Sequence, residues 1–299
     1  MTRISVFICI VGVLSACYGQ EPNQLGGNLE IYYGGQGIRR LDTALQQTIP
    51  VYQNNSISVT HVDNYSAELK LVSYFVLPPT DSRYRIAFYS HDDEIIDIAR
   101  GFAARSFGED IIFINQFGQL SKIELDENLT PRIELLDESR TSYAVAVVPL
   151  ADNSFLFGKG NGSDYQVWKY DLENNSLDHQ PSYDNCSLES AHWINARSAL
   201  LCRVKGPNKR WMRYHYVTPE GKEPAFNFDD EIFSVVAYSA SKNSLILHRR
   251  RRGLVLSGGE FDVVLFSLDS GKMLLAGDGV TLSDGVAISE KSYIESPRK

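Results

Sequence analysis

The chain has 299 residues, of which 43% are hydrophobic and 22% are charged, so it can build a globular core without metals. The formal net charge of -8 argues against a binder of bulk nucleic acid, which is usually basic. Sixteen Tyr and 14 Phe against three Met favour strands over helices, because aromatic side chains fit a pleated surface.

The amino terminus has the pattern of an export signal. Arg3 precedes an apolar stretch, residues 4–14, that is too short to span a bilayer and has the length of a signal-peptide core. The sequence Leu14-Ser15-Ala16-Cys17 follows directly. It resembles the lipobox of bacterial lipoproteins, which implies that residues 1–16 are cleaved off and that Cys17 is acylated. The alternative is an ordinary secretory leader in which Cys17 has no role.

The residues after Cys17 bear on the final location. Position 18 is Tyr rather than Asp, and Asp there is the inner-membrane retention signal of enteric-type lipoproteins. The resemblance therefore implies a protein of the bacterial cell envelope, held in the outer membrane by its lipid, with a periplasmic body. Residues 17–27 are polar and contain Gly and Pro, which predicts a flexible tether. Two or more acyl chains anchor a protein stably, so the membrane is an expected partner.

A strand-rich segment recurs along the rest of the chain. Six copies of a short apolar-alternating strand that leads into a turn occur at residues 37–42, 85–92, 121–126, 167–171, 213–218 and 264–269. Their mean spacing is about 45 residues, the size of one four-stranded propeller blade. A second landmark, a polar turn and a Ser before an apolar strand, recurs with the same period around Ser154, Ser198 and Ser244.

The last copy shows the pattern most completely. Its four predicted strands are residues 233–238, 245–249, 262–268 and 273–276, separated by turn-forming sequences. The stretch Leu268-Asp269-Ser270-Gly271-Lys272 resembles the strand–turn–strand ending of WD-repeat and quinoprotein-type propellers. The resemblance implies an all-β propeller over residues 28–290, with a tail at 291–299.

Six copies predict six four-stranded blades. The first copy lacks its innermost strand, and residues 281–289 can supply it, which predicts circular closure. Five or seven blades stay open at this point, and the alternative folds are a β-sandwich or two small β domains.

Cys186 and Cys202 remain once Cys9 is lost with the leader and Cys17 is acylated. An oxidising compartment favours a disulfide between them, and the alternative is two buried free thiols.

Two basic segments follow the second strands of neighbouring blades. They contain Lys205, Lys209 and Arg210 in one, and Arg249, Arg250, Arg251 and Arg252 in the other. In the propeller class, such loops share the face where ligands usually bind, so these segments predict a site for a carboxylate-rich or phosphate-rich partner. The alternative is a solvated strand end.

No catalytic or metal-binding motif is present in the sequence, and no cofactor is expected. His91, His192 and Asp230 are the candidates for propeller-enzyme chemistry, but they do not recur at matching positions of the repeats. The sequence therefore favours a lipid-anchored scaffold that binds an envelope protein. The alternatives are a hydrolase or lyase acting on a glycan, lactone or peptide, and a module that binds carbohydrate or small ligands through exposed Tyr and Trp side chains. Trp168, Trp193 and Trp211 lie in predicted strands, which favours packing in the core for these three.

Overall fold

Antiparallel strands form nearly all of the regular structure in the computed structural model. The model describes residues 29–42, 47–66, 68–77, 84–90, 94–140, 147–151, 153–161, 164–204, 213–226, 232–250, 260–281 and 286–290. These ranges contain 23 strands and two 3-10 turns, Pro181–Tyr183 and Asn195–Arg197, but no α-helix. Among them, no helix has the length and apolar character to cross a bilayer. The predicted leader (residues 1–16), Cys17, the predicted tether and the predicted tail at 291–299 lie outside the described residues.

The strands, numbered in chain order, pair into five sheets. The first sheet contains β1 (Leu29–Tyr33), β2 (Gly37–Asp42), β3 (Gln47–Gln53) and β23 (Val286–Glu290). The second contains β4 (Ile57–Asn64), β5 (Leu69–Val76), β6 (Arg85–Ser90), β7 (Ile95–Phe107), β8 (Asp110–Asn115), β9 (Gln119–Leu125) and β10 (Pro131–Arg140). The third contains β11 (Val148–Pro149), β12 (Ser154–Asn161), β13 (Asp164–Asp171) and β14 (Ser176–His179). The fourth contains β15 (Cys186–Ile194), β16 (Ala199–Val204), β17 (Arg213–Thr218) and β18 (Gly221–Pro224), and the fifth contains β19 (Ile232–Ser239), β20 (Ser244–Arg250), β21 (Glu260–Ser267) and β22 (Met273–Thr281).

The seven-stranded sheet consists of two groups of four strands that share β7. Residues 95–100 of this strand pair with β6, and residues 101–107 pair with β8. The switch occurs at Gly101, where an added Cβ would lie 2.3 Å from the Ile114 carbonyl oxygen. A register shift follows between Phe102 and Arg105, and Ala103 has a φ of 54°. This bulge turns the second half of the strand towards a new set of neighbours.

We call each group of four successive strands a unit. Unit 1 is β23 with β1–β3, unit 2 is β4–β7, unit 3 is β7–β10, unit 4 is β11–β14, unit 5 is β15–β18 and unit 6 is β19–β22. The six repeated segments of the sequence fall in β2, β6, β9, β13, β17 and β21, which are the third strands of the six units. The four strands predicted for the last repeat are β19–β22, with ends that differ by a few residues.

The two ends of the described chain share unit 1. Strand β23 pairs antiparallel with β1, so that Leu29 lies opposite Glu290 and Tyr33 lies opposite Val286. The carboxyl-terminal strand therefore occupies the position of the first strand in this unit.

Six buried apolar clusters lie between the units, and each joins one unit to the next. Strand β8 shows how the sequence builds them, because Ile111 and Phe113 contribute to the cluster with unit 2, while Ile112 contributes to the cluster with unit 4. A sheet covered on both faces needs such continuous apolar strands. Another cluster contains Ile31 and Leu41 of unit 1 together with Val236 and Leu265 of unit 6.

A disulfide joins Cys186 and Cys202 in unit 5, with their Cα atoms 5.6 Å apart. Cys186 lies opposite Val204 in the register of β15 and β16, so the bond crosses the two strands diagonally. The Tyr165 hydroxyl of unit 4 donates to the Cys186 carbonyl at 2.8 Å, which ties the start of β15 to the preceding unit. The pair expected from the sequence is therefore present.

Candidate functional site

The first strands of the units lie side by side around a polar cavity. Strand β23 lies beside β4, β4 beside β7, β11 beside β15, β15 beside β19, and β19 beside β23. Between β7 and β11, Arg105 Nε donates to the Val147 carbonyl at 3.4 Å. The cavity has a volume of about 280 Å³ and is lined by residues of β4, β7, β11, β15 and β19. We refer to it as the central cavity.

Arg105 places a cationic side chain at the wall of the central cavity. Besides the bond to Val147, its Nη1 donates to Nδ1 of His61 at 3.4 Å. Among the described residues, no carboxylate lies within 4.0 Å of its nitrogens and Nη2 has no hydrogen-bond partner. Burial lowers the pKa of Arg105, and the charge of Asp63 opposes this shift. Within the described part of the chain, the guanidinium therefore has no direct counter-ion.

Asp63, which also lines the cavity, is turned towards Ser106 instead of Arg105. Its Oδ2 accepts from the Ser106 backbone N–H at 3.1 Å, and its Oδ1 accepts from the Asn64 N–H at 3.0 Å. The Ser106 hydroxyl donates to the Asn64 carbonyl. These bonds hold the ends of β4 and β7 together and fix the direction of the carboxylate.

Two histidines lie close to Arg105, and both are neutral at pH 7. Burial and the nearby Arg105 charge hold the pKa of His61 well below its usual value, and the same causes lower the pKa of His192 to about 4. Nε2 of His192 donates to the Val235 carbonyl at 3.3 Å. In His61, Nδ1 accepts from Arg105, so Nε2 carries the proton. That Nε2 is buried and has no hydrogen-bond partner among the described residues.

Strands β16 and β20, which precede the basic segments in the sequence, end at the opposite end of the first strands from the central cavity. Val204 pairs with Cys186 at the start of β15, and Arg249 pairs with Ile232 at the start of β19. The cavity is lined by residues 191–193 and 236–238, close to the other ends of the same two strands. The prediction that chemistry concentrates on the face of the basic loops therefore did not locate this cavity.

The described part of the basic segments is small. Arg249 donates from Nη2 to Asp262 Oδ2 at 3.2 Å, so this guanidinium is paired within unit 6. Arg250 ends β20. The other members, Lys205, Lys209, Arg210, Arg251 and Arg252, lie outside the described residues.

The structure describes only some of the remaining candidates from the sequence. His91, Asp230 and Trp211 lie outside the described residues, and His192 lies at the central cavity. His248 is buried beside Ser234, and burial lowers its pKa to about 4. Within the described ranges, no three His, Cys, Asp or Glu side chains are placed to bind a metal.

The two described tryptophans differ in their surroundings. Lys159 Nζ lies 4.7 Å from the Trp168 ring centroid and pairs with Asp137 at 2.8 Å. Trp193 lines the central cavity and packs against the apolar cluster between units 4 and 5. Trp193 is therefore the one with a place at the candidate site.

The sequence did not single out His61, Asp63, Arg105 or Ser106. A usable signal is present in retrospect, because Val62 and Ala104 are buried apolar residues that precede Asp63 and Arg105 directly in two first strands. Side chains alternate between the two sides of a strand. A charged residue that follows a core residue near the end of a first strand can therefore face the axis of a propeller.

No family model and no curated protein sequence matches this chain. Solved structures match it in fold. TolB from Acinetobacter baumannii has a TM-score of 0.61 at 12% identity, over 89% of this chain and 67% of that chain. A putative TolB from Agrobacterium tumefaciens has a TM-score of 0.53 at 11% identity, over 88% of this chain and 98% of that chain. At such identities the likeness concerns the fold alone, and it shows that the body of this chain is a β-propeller rather than a β-sandwich.

Proposed function

We propose that this chain is a lipid-anchored protein of the bacterial envelope whose propeller is a rigid scaffold for a protein partner. The main support for the proposal is the TolB-like propeller fold, which extends over most of the chain. The predicted export leader precedes it in the sequence. The matched TolB structures support the fold, and we propose the envelope interaction role for this chain on that basis.

The proposed scaffold is a closed ring of six blades, one for each unit. The pairing of β23 with β1 supports closure, because it places both chain ends in one sheet. The cluster that joins unit 1 to unit 6 supports it independently through side-chain packing. A ring without open sheet edges between its blades is a stiff platform, and stiffness lowers the entropy lost when a partner binds.

The proposed anchor is the acylated Cys17. Its lipobox resemblance is the support, and the distance to the body is compatible with it. Leu29 begins the first described strand, 12 residues after Cys17 (29 minus 17). A fully extended segment of that length spans at most about 40 Å. The body would therefore stay close to the membrane surface that holds the lipid.

The proposed partner surface is formed by the basic segments after β16 and β20. These strands belong to neighbouring units and end at the same end of the propeller, from which we expect the two segments to leave next to each other. Arg249 is paired with Asp262, which leaves Lys205, Lys209, Arg210 and Arg250–Arg252 to meet an acidic protein surface. Charge of one sign steers an oppositely charged partner and selects against others.

Two measurements test this proposal. Metabolic labelling with an alkyne analogue of palmitate should label the wild-type chain and leave the Cys17→Ser variant unlabelled. Chemical cross-linking in intact cells should capture one stoichiometric protein, and the combined variant Lys209→Glu, Arg210→Glu, Arg251→Glu and Arg252→Glu should lose it. The control reverses four exposed charges elsewhere, Arg132, Lys222, Lys242 and Lys272. Equal capture by both reversed variants would remove the basic segments from the proposal, and the absence of any stoichiometric partner would contradict the scaffold role.

A further inference from the structure

Two hydrogen-bond donors, at and beside the wall of the central cavity, have no partner among the described residues. Arg105 lines it without a carboxylate within 4.0 Å among the described residues. His61, whose side chain contacts Arg105, is 91% buried and presents an Nε2–H that has no partner there. Native structures rarely leave a buried charge or a buried donor uncompensated.

The protein's own acidic group at this place is committed elsewhere. Asp63 accepts the backbone N–H groups of Asn64 and Ser106, and this geometry keeps it out of direct contact with Arg105. Val147 supplies a neutral carbonyl to the guanidinium, which does not balance its charge. An acceptor from outside the described chain would complete the site.

We propose that the central cavity binds a carboxylate group and that Arg105 is its counter-ion. A guanidinium offers two parallel N–H donors to a carboxylate, and Nη2 is the nitrogen that remains open for this contact. The neutral imidazoles of His61 and His192 add no further positive charge at pH 7.

The charge of the cavity favours a carboxylate over a phosphate, and its volume favours a small acid over a nucleotide or an oligosaccharide. Asp63 lies on the wall of the same cavity, so a dianion would face a negative charge while Arg105 supplies a single positive one. The volume of about 280 Å³ accommodates an organic acid of a few carbon atoms or one acidic side chain. A nucleotide or an oligosaccharide is larger than this space.

Two sources can deliver the carboxylate. One is a free small acid, and this source is independent of the scaffold function. The other is an Asp or Glu side chain, or a terminal carboxylate, of the protein partner, and this source rests on the proposed function. Both make the same contact with Arg105, so one pair of variants tests them together.

The experiment is a calorimetric titration of the full acylated chain in detergent with acetate, glutarate and inorganic phosphate at pH 7 and constant ionic strength. The Arg105→Gln variant removes the charge. The Arg197→Gln variant is the control, because Arg197 is exposed and paired with Glu223 at 2.9 Å. Thermal melting of both variants shows that they are folded. Saturable 1:1 binding of a carboxylate that weakens at least tenfold in Arg105→Gln and stays unchanged in Arg197→Gln supports the proposal.

The other outcomes either identify the source of the carboxylate or contradict the proposal. If no small acid binds but capture of the cross-linked partner requires Arg105 and not Arg197, the carboxylate comes from the partner. Phosphate binding tighter than acetate in an Arg105-dependent manner overturns the assignment to a carboxylate. Binding and partner capture that are both indifferent to Arg105→Gln overturn the site itself. Failure of the scaffold function alone leaves the small-acid titration intact, so the two proposals fail separately.

Discussion

The junctions between units and the central cavity use the same strands in opposite ways. On β4, Val62 belongs to an apolar junction and the next residue, Asp63, lines the cavity. On β7, Ala104 belongs to a junction and Arg105 lines the cavity. The junctions contain close-packed apolar side chains, whereas the cavity is lined by Arg105, whose charge no described residue neutralises through a direct ion pair. We therefore expect the apolar junctions between the sheets to stabilise the fold, and the residues at the inner edges of the sheets to bind a ligand.

The largest expected effect is at a junction. Phe155 is fully buried between units 3 and 4, with the Phe107 and Tyr170 rings each 5.4 Å away. Phe155→Ala should lower the free energy of unfolding by about 3–5 kcal/mol, because a cavity replaces a packed ring. Chemical denaturation measures this loss. Phe117 is 68% exposed, so Phe117→Ala should change the value by less than about 0.5 kcal/mol, and similar losses in both variants would contradict the junction model.

The disulfide should have the next largest effect. Cys186 and Cys202 are 16 residues apart, and closing a loop of that size stabilises a fold by about 3 kcal/mol through the unfolded chain. The variant with both cysteines changed to Ala should unfold at a correspondingly lower denaturant concentration. Reductant should destabilise the wild type by a similar amount and leave the variant unaffected. A wild type that ignores reductant after full unfolding and refolding would contradict this assignment.

The buried histidines near the inner strands should make stability depend on pH. The pKa of His248 is about 4 in the folded state and about 6.5 in the unfolded chain, so the unfolded state binds the proton more tightly. The free energy of unfolding should therefore fall as the pH drops from about 6.5 to about 4 and level off below, by up to about 3 kcal/mol for this residue. His61 and His192 act with the same sign. Denaturation at pH 7 and at pH 4.5 should show a smaller difference in His248→Gln than in the wild type.

The sequence predicted the strands of this fold far better than its central cavity. The third strands combine alternating apolar residues with a turn, as in residues 213–218 and 264–269, and these local signals repeat with each unit. The disulfide also followed from residue identity, because only two cysteines remained for pairing. The sequence did not predict that a single 13-residue strand, β7, belongs to two units.

The cavity could not be predicted because its residues are distant in sequence. Asp63, Arg105 and His192 lie on three separate strands, β4, β7 and β15, and only the arrangement of the first strands brings them together. The basic segments attracted attention through their composition, since four consecutive arginines are conspicuous in an acidic chain. The single Arg105 is not conspicuous, and its importance follows from its place at the cavity wall without a direct counter-ion among the described residues.

Arg105 itself should contribute little to stability. Arg105→Met keeps the length of the side chain and removes a half-buried charge that has no paired carboxylate among the described residues, so the free energy of unfolding should stay within about 1 kcal/mol of the wild type or rise. Arg197→Met loses an exposed ion pair and should cost about 0.5 kcal/mol. Denaturation of both variants in the absence of carboxylate measures these values. A loss of 3–5 kcal/mol in Arg105→Met would instead indicate a buried ion pair and would remove the distinction between cavity and junctions.

A crystal structure of the propeller body grown with glutarate is the most direct test of carboxylate binding by Arg105. We expect a carboxylate within hydrogen-bond distance of the Arg105 guanidinium, with Asp63 still bound to the backbone of Ser106. A cavity that holds no acid, with Arg105 turned into a direct ion pair with Asp63, would contradict it.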